Sequence, residues 1–184
     1  MRYIVVGHPR GGTGFMSQYF KMRGLDVGHE VMGADGTSDW RLVANGSRGY
    51  ANPDEIVIHA IRHPVNTITS MYLTTSDESK QFMWDLCGAD DESRFERVCA
   101  TYGAWHRMIR ERWVPDFDVR VEVKSDFTKL NELTGSDIMP ENDVNSRGHG
   151  DVAQEKWDQL TCELKVTICN YCYLYYGGDC LGKI

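Results

Sequence analysis

The first fifteen residues, MRYIVVGHPRGGTGF, place the strongest constraint on the fold of this chain. Residues 2–7 form a short apolar run with several β-branched side chains and end in glycine, which is typical of a buried parallel strand. A glycine-rich turn follows. Residues 13–24 then carry aromatic side chains at helical spacing and stop at Gly24, which is typical of a helix with a glycine cap. The segment therefore predicts a strand, a tight turn and a helix.

A second strand-to-helix junction lies near residue 62. The apolar run 55–61 (EIVIHAI) leads into Arg62-His63-Pro64, and proline is tolerated in the first turn of a helix, so a helix is predicted to about residue 75. The other predicted elements are a short strand over 25–30, a loop over 33–53, helices over 79–114 with a break at 88–91, a strand over 117–123, a helix over 125–133, a loop over 135–153, and a helix over 155–176.

The alternation of strands and helices predicts the fold class. It indicates an α/β protein, a three-layer sandwich with a mainly parallel central sheet. No repeat or linker divides the sequence, so residues 1–184 are predicted to form a single domain. No run approaches the roughly 18 apolar residues that a membrane span needs. The net charge of −7 argues against nucleic-acid binding, which requires a broad basic face.

The cysteines bear on the expected location of the protein. All six lie at or after Cys87, mostly in the C-terminal region, which is not the pattern of a disulfide framework. We therefore expect reduced thiols and a cytoplasmic protein, with no signal segment before the first strand. Cys169 and Cys172 have the spacing of a zinc or redox pair, but residues three apart on a helix also share one face, and we expect them to pack as small hydrophobic side chains.

The turn after the first strand has most features of a phosphate-binding loop. In a parallel sheet, ligands lie at the carboxyl ends of the strands, where N–H groups at helix starts point at anions. Nucleoside triphosphatases have GxxxxGK[ST] at this place, with a lysine for the outer phosphates and a hydroxyl for magnesium. Here Thr13 stands where the lysine belongs, and the nearest cation is Arg10, inside the loop. An arginine fork without lysine or magnesium suits an anion that needs no metal, such as a sulfonate.

These residues carry a resemblance to a known family. PRGGTG at 9–14 resembles the 5′-phosphosulfate loop of the sulfotransferases that use 3′-phosphoadenosine 5′-phosphosulfate (PAPS). IRHP at 61–64, with Ser70 and Tyr72, is similar to the 3′-phosphate motif of that family, and the two motifs occur in the expected order. NSRG at 145–148 and the aromatic last helix resemble the family's C-terminal region. The resemblance implies the P-loop NTPase-like sulfotransferase fold.

The resemblance also implies a cofactor and the residues that bind it. The cofactor is PAPS, which leaves as 3′-phosphoadenosine 5′-phosphate, and no metal takes part. The implied cofactor-binding residues are Arg10, Gly11, Gly12, Thr13, Gly14 and Phe15 in the loop, Arg62 and Ser70 for the 3′-phosphate, and Arg147 and Gly148 near the C-terminus.

Sulfonate transfer needs a base for the acceptor proton and positive charge on the leaving side. Arg10 is the candidate for that charge. Glu30, which ends VGHE at 27–30, is the first candidate for the base, because a carboxylate in this area serves as the base in several sulfotransferase branches that resemble this chain. His29 is the second candidate, and one of the two residues can instead orient the other.

The acceptor is expected to be a small molecule or a carbohydrate with a hydroxyl or amine group, because the acidic balance of the chain disfavours highly sulfated polyanions. Residues 31–53 and the acidic segment 77–96 are candidate walls of its pocket, with Trp40 or Tyr50 as a flat surface. Trp40 is equally compatible with a core lid over the sheet. Two alternatives stay open: a P-loop kinase of a small metabolite, and a degenerate nucleotide-binding module without catalysis.

Overall fold

The structure, a computed structural model, describes residues 1–46, 54–90, 93–139 and 157–177. Its strands are β1 (Arg2–Gly7), β2 (Val27–His29), β3 (Gly36–Ser38), β4 (Glu55–Ile61) and β5 (Phe117–Arg120). Its helices are α1 (Thr13–Lys21), α2 (Leu42–Asn45), α3 (Pro64–Thr74), α4 (Asp77–Cys87), α5 (Arg94–Arg112), α6 (Thr128–Thr134) and α7 (Cys162–Tyr176), and a 3₁₀ turn (Lys124–Phe127) precedes α6.

The five strands form one sheet in the order β2-β3-β1-β4-β5, and every neighbouring pair is parallel. The register of β1 and β4 runs from Arg2 opposite Glu55 to Gly7 opposite Ala60. The predicted α/β class and parallel sheet are therefore confirmed. Because all the strands are parallel, their carboxyl ends share one edge of the sheet, and the turns that follow β1, β2 and β4 begin at that edge.

Both faces of the sheet are buried. On one face, β1, β2, β4 and β5 contribute side chains to a hydrophobic cluster with α1, the 3₁₀ turn and α6: Tyr3, Val5, Phe15, Met16, Tyr19, Phe20, Val27, Ile58, Ala60, Val119, Phe127 and Leu130. On the other face, the alternate positions Ile4, Val6 and Val57 are buried as well. This double burial is consistent with the middle layer of the predicted sandwich.

The end of α1 is fixed by contacts with α6. The helix stops at Lys21, before the predicted cap, and Gly24 takes a φ of +74° in the turn that follows. The Arg23 guanidinium lies 3.5 Å from the ring centroid of Tyr19 and donates to Asn131 Oδ1 at 3.0 Å. This arginine therefore ties the end of α1 to α6 on the same face of the sheet.

The prediction of a continuous loop over 33–53 is wrong, because β3 and α2 lie within its described part. The strand β3 has the sequence GTS, so a hydrophobic pattern cannot detect it, although all three residues are buried between β2 and β1. Gly36 permits this close packing, since a Cβ at that position would lie 1.9 Å from Tyr3 O.

Two predicted elements differ in their limits. The strand β5 ends at Arg120, because the chain turns there and the Val123 N–H donates back to Arg120 O at 2.9 Å. The last helix, α7, begins at Cys162, and the Thr161 hydroxyl caps it by accepting a hydrogen bond from the Leu164 N–H at 3.3 Å. The breaks predicted near residues 88 and 115 are confirmed by the ends of α4 and α5.

The chain divides into two compact units, Met1–Arg62 with Met108–Ser146, and His63–Arg107 with Arg147–Ile184. The first unit contains the sheet, α1, α2 and α6. In the second unit, α3 packs against α7, and Trp157 Nε1 donates to Thr69 Oγ1 at 3.4 Å. The single domain over residues 1–184 stays a prediction.

The described cysteines correct one expectation. Cys87, Cys99, Cys162 and Cys169 are reduced cysteines outside any disulfide, as expected. Cys172 is disulfide-bonded, so the expectation of reduced thiols is wrong at this position; spacing along the sequence does not report which side chains approach each other. The cytoplasmic location stays a prediction. No helix among the described residues is long and apolar enough to cross a membrane.

Candidate anion-binding site

The loop between β1 and α1 covers residues 8–12 at the carboxyl edge of the sheet. Gly7, just before the loop, and Gly12, its last residue, both lie too close to neighbouring atoms for a side chain to fit without displacing them. A Cβ at Gly7 would lie 2.9 Å from Ala60 O, and a Cβ at Gly12 would lie 2.7 Å from Val121 Cγ1. Gly12 also has a φ of +103°, which side-chain-bearing residues rarely adopt. The path of the loop along β4 and β5 therefore depends on these two glycines.

The first half of the loop is a tight turn. The Gly11 N–H donates to His8 O at 2.7 Å, and Arg10 has a φ of +67°. Proline at the second position and a positive φ at the third are the pattern of a type II turn, and Pro9 and Arg10 occupy these positions. The His8 ring is fully buried, with Nδ1 2.6 Å from Pro9 O. Burial lowers the pKa of His8 to about 4, so the ring is neutral at neutral pH.

The start of α1 offers backbone donors to an anion. Gly12 is the N-cap residue and has no side chain to cap the helix, and the first turn contains no acidic residue. The first N–H groups of a helix lack intrahelical acceptors and carry partial positive charge. Phosphates and sulfonates bind to such groups, and Arg10 lies in the adjoining turn.

The strand order places this loop where ligands bind in open parallel sheets. The chain leaves β1 toward β2 on one side and leaves β4 toward β5 on the other, so the direction of connection reverses between the neighbours β1 and β4. Ligands bind in the crevice at such a reversal. The loop at 8–12 follows β1 and Arg62 follows β4, so two predicted arginine-bearing segments flank this point.

Arg62 lies directly after a strand, as predicted, and it has a carboxylate neighbour. Its side chain is 18% exposed, and its Nε lies 3.6 Å from Glu122 Oε1. Glu122 is a site residue that sequence reasoning missed, because its position depends on the pairing of β4 with β5 rather than on any local motif. An anion at Arg62 would compete with this carboxylate for the guanidinium.

The structure brings both candidate bases together with the loop. His29 ends β2, and its Nε2 lies 3.5 Å from Thr13 Oγ1 and 3.8 Å from Glu30 Oε1. Trp40 Nε1 donates to the same Glu30 oxygen at 2.8 Å. A continuous series of contacts thus runs from the start of α1 through His29 and Glu30 to Trp40. The sequence had indicated an acceptor surface or a core lid for Trp40, and its bond to Glu30 was not predicted.

The backbone of Glu30 is fixed as well. Its φ is +57°, and its N–H donates to Ser38 O at 3.1 Å. The Arg41 guanidinium donates to Glu30 O and pairs with Asp39 at 2.9 Å. The hydrogen bond with Asp39 raises the pKa of Arg41, so this arginine stays charged. Residues from β3 and the segment after it therefore hold the candidate base in an uncommon backbone conformation.

The remaining predicted site residues differ in what they offer. The ring of Phe15 is in the core, 5.9 Å from that of Phe127, so only its backbone is available to a ligand. Ser70 is fully buried in α3, in the second unit. Arg147 and Gly148 lie outside the described residues, and so does Tyr50. The roles of Ser70, Arg147 and Gly148 stay predictions.

Comparison with known proteins adds no assignment to this site. No protein-family model matches the chain, and the searches of curated proteins and of solved structures found no match. Among the described residues, no group of three or more histidine, cysteine or acidic side chains is arranged to hold a metal ion.

Proposed function

We propose that this chain is a sulfotransferase, with the P-loop NTPase-like sulfotransferase fold. It moves a sulfonate group from PAPS to a hydroxyl or amine of a small molecule or carbohydrate. The observation that carries the proposal is the series of contacts joining the start of α1, which adjoins the Arg10 turn, to the two candidate bases at the same edge of the sheet. The resemblance of residues 9–14 and 61–64 to the family's nucleotide motifs favours PAPS as the donor.

Arg10 and the first N–H groups of α1 supply positive charge on the leaving side. A guanidinium keeps its charge at every accessible pH and can hold two oxygens at once. As the bond from sulfur to the phosphate oxygen breaks, negative charge grows on that oxygen, and fixed donors stabilise it without reorganising. Arg62, at the other side of the strand reversal, takes the 3′-phosphate in place of its contact with Glu122.

Glu30 takes the proton of the attacking acceptor group. The hydrogen bond from Trp40 fixes Oε1 and leaves Oε2 for the acceptor. His29 orients the carboxylate, because the same imidazole nitrogen approaches both Glu30 Oε1 and Thr13 Oγ1. This division of roles keeps the base next to the loop that binds the donor, as an in-line displacement requires.

The donor set suits an anion bound without a metal. The lysine of a nucleoside triphosphate loop is replaced by Thr13, whose hydroxyl contacts His29. A kinase would hold its triphosphate through that lysine and through magnesium. Arginine and backbone N–H groups, which this loop offers instead, bind sulfonate and phosphate oxygens directly.

A thermal-shift panel tests the proposal against its two alternatives. The wild-type chain is heated with 3′-phosphoadenosine 5′-phosphate in EDTA, with ATP and magnesium, and with neither. We expect the first ligand alone to raise the melting temperature, by an amount equivalent to about 2.7 kcal/mol when its concentration is about 100 times its Kd. Release of labelled sulfonate from PAPS is then measured across a panel of alcohols, amines and sugars.

Each outcome separates the candidates. A shift with ATP and magnesium only would contradict the sulfotransferase and favour the kinase. Binding of the phosphoadenosine nucleotide without transfer to any acceptor of the panel would favour the non-catalytic module. Transfer that needs no added metal supports the proposal.

A further inference from the structure

The turn at residues 8–11 holds an arginine in a conformation that favours glycine. In a type II turn, the third residue needs a positive φ, and Arg10 has a φ of +67°. A side chain in this left-handed region is unfavourable, because its Cβ crowds the following backbone. Some contact must therefore hold the turn in this state against the type I turn, which any residue adopts.

Types I and II differ mainly in the orientation of the central peptide, here the one between Pro9 and Arg10. The oxygen of this peptide lies 2.6 Å from Nδ1 of the buried His8 ring. A carbonyl oxygen only accepts hydrogen bonds, so Nδ1 carries the proton and donates. Flipping the peptide to the type I orientation would remove the oxygen from this donor.

Peptide planarity transmits this constraint to the next residue. The C=O and N–H of one trans peptide point in opposite directions. With Pro9 O directed at a fully buried ring, the Arg10 N–H is directed away from that ring. The same bond also keeps a carbonyl dipole from facing a bound anion, which would repel it.

We propose that His8 is a positioning residue of the anion loop. Its Nδ1–H donor holds the Pro9–Arg10 peptide in the type II orientation, which turns the Arg10 N–H away from the ring and toward the 5′ group of the nucleotide. This role rests on the proposed function. It assigns to His8 a part in binding the 5′ group and no part in binding the 3′-phosphate.

Three variants separate this role from simple core packing. His8→Asn keeps an N–H donor near the position of Nδ1. His8→Leu keeps a similar volume without a donor. If the leucine variant does not fold, His8→Gln is used in its place, because glutamine moves the donor away from Nδ1 toward the position of Nε2. Calorimetry in EDTA gives the affinity of each for 3′-phosphoadenosine 5′-phosphate and for adenosine 3′-phosphate, which lacks the 5′ group. The affinity for 3′-phosphoadenosine 5′-phosphate divided by the affinity for adenosine 3′-phosphate measures what the loop contributes by binding the 5′ group.

We expect the ratio to fall about tenfold in His8→Leu and in His8→Gln, and to stay within about threefold of wild type in His8→Asn. A ratio that is unchanged in the variants that lose the donor, with wild-type binding intact, overturns the role of His8 and leaves the proposed function standing. Equal losses for both nucleotides also overturn it, since they indicate general destabilisation. Failure of the wild-type chain to bind the bisphosphate nucleotide overturns the proposed function and this role together.

Discussion

The contact of Trp40 with Glu30 gives this tryptophan a different role from the one that its residue type indicates. A half-buried tryptophan after a short strand is compatible with stacking against an acceptor. In the structure its indole N–H instead donates to Glu30 Oε1 at 2.8 Å. Under the proposed function, the Trp40 side chain therefore positions the base and does not stack on the acceptor.

This arrangement predicts a graded loss of transfer. Glu30→Gln should lower single-turnover sulfonate transfer by at least about a hundredfold, because the proton acceptor is lost, and should leave nucleotide affinity within about twofold. Trp40→Phe keeps an aromatic ring and loses only the N–H, so transfer should fall about tenfold. Rapid-quench measurement with labelled PAPS checks both. Unchanged transfer in Glu30→Gln would remove Glu30 from the mechanism and make His29 the base.

The contact of Arg62 with Glu122 predicts a gain of affinity on mutation. Glu122→Gln removes a carboxylate that shares the guanidinium and repels the 3′-phosphate, so the Kd of 3′-phosphoadenosine 5′-phosphate should fall about threefold. Arg62→Ala should raise it at least about tenfold. Calorimetry at constant ionic strength measures both. Unchanged affinity in Arg62→Ala would contradict the assignment of the 3′-phosphate to this arginine.

The buried ring of His8 predicts a pH dependence of stability. Its pKa falls from 6.5 to about 4 on folding, so between these values the unfolded chain binds a proton that the folded chain does not. The contribution of His8 to the free energy of unfolding is therefore fully present above pH 6.5 and is lost as the pH drops toward 4. Between pH 7.5 and 4.5, the wild type should lose about 2 kcal/mol more than His8→Asn, which cannot titrate. Urea unfolding of both proteins measures this difference, and equal losses would contradict it.

At the scale of elements, the pairing of β3 with β1 requires a glycine at position 36, and the strand has no hydrophobic side chain to bury. Gly36 has a φ of +133°, and a Cβ there would meet Tyr3 O at 1.9 Å, inside the pairing of β1 with β3. Gly36→Ala should therefore cost at least about 3 kcal/mol of unfolding free energy. Gly24→Ala is the matched control, because Gly24 also has a positive φ but open space around it, and it should cost about 1 kcal/mol. Similar losses in the two variants would contradict the account of β3.

The elements that were predicted correctly have a strong local signal. The strands β1 and β4 are continuous apolar runs. The helix α4 ends just before a glycine, and α5 ends shortly before a proline. The strand β3 lacks such a signal, since GTS is buried by its neighbours and not by its own hydrophobicity. The short helix α2 was missed for a related reason, because its four residues are too few to show a helical period.

On the scale of the whole molecule, the acidic chain has two arginine-bearing segments that follow neighbouring strands. With a net charge of −7, the protein repels anions except where local donors outweigh that repulsion. Arg10, the first turn of α1 and Arg62 follow the adjacent strands β1 and β4. The sequence motifs were sufficient to predict this placement. They were not sufficient to predict Glu122 and the bond from Trp40 to Glu30, because these contacts depend on the pairing of β4 with β5 and of β2 with β3.

The most direct test of the proposed function is calorimetric titration of the wild-type chain with 3′-phosphoadenosine 5′-phosphate in the presence of EDTA. The comparison ligand is adenosine 5′-phosphate, which lacks the 3′-phosphate. We predict binding of the first nucleotide without any metal, and affinity at least about tenfold lower for the second. No binding of the first nucleotide, or equal affinity for the two, would contradict the proposal.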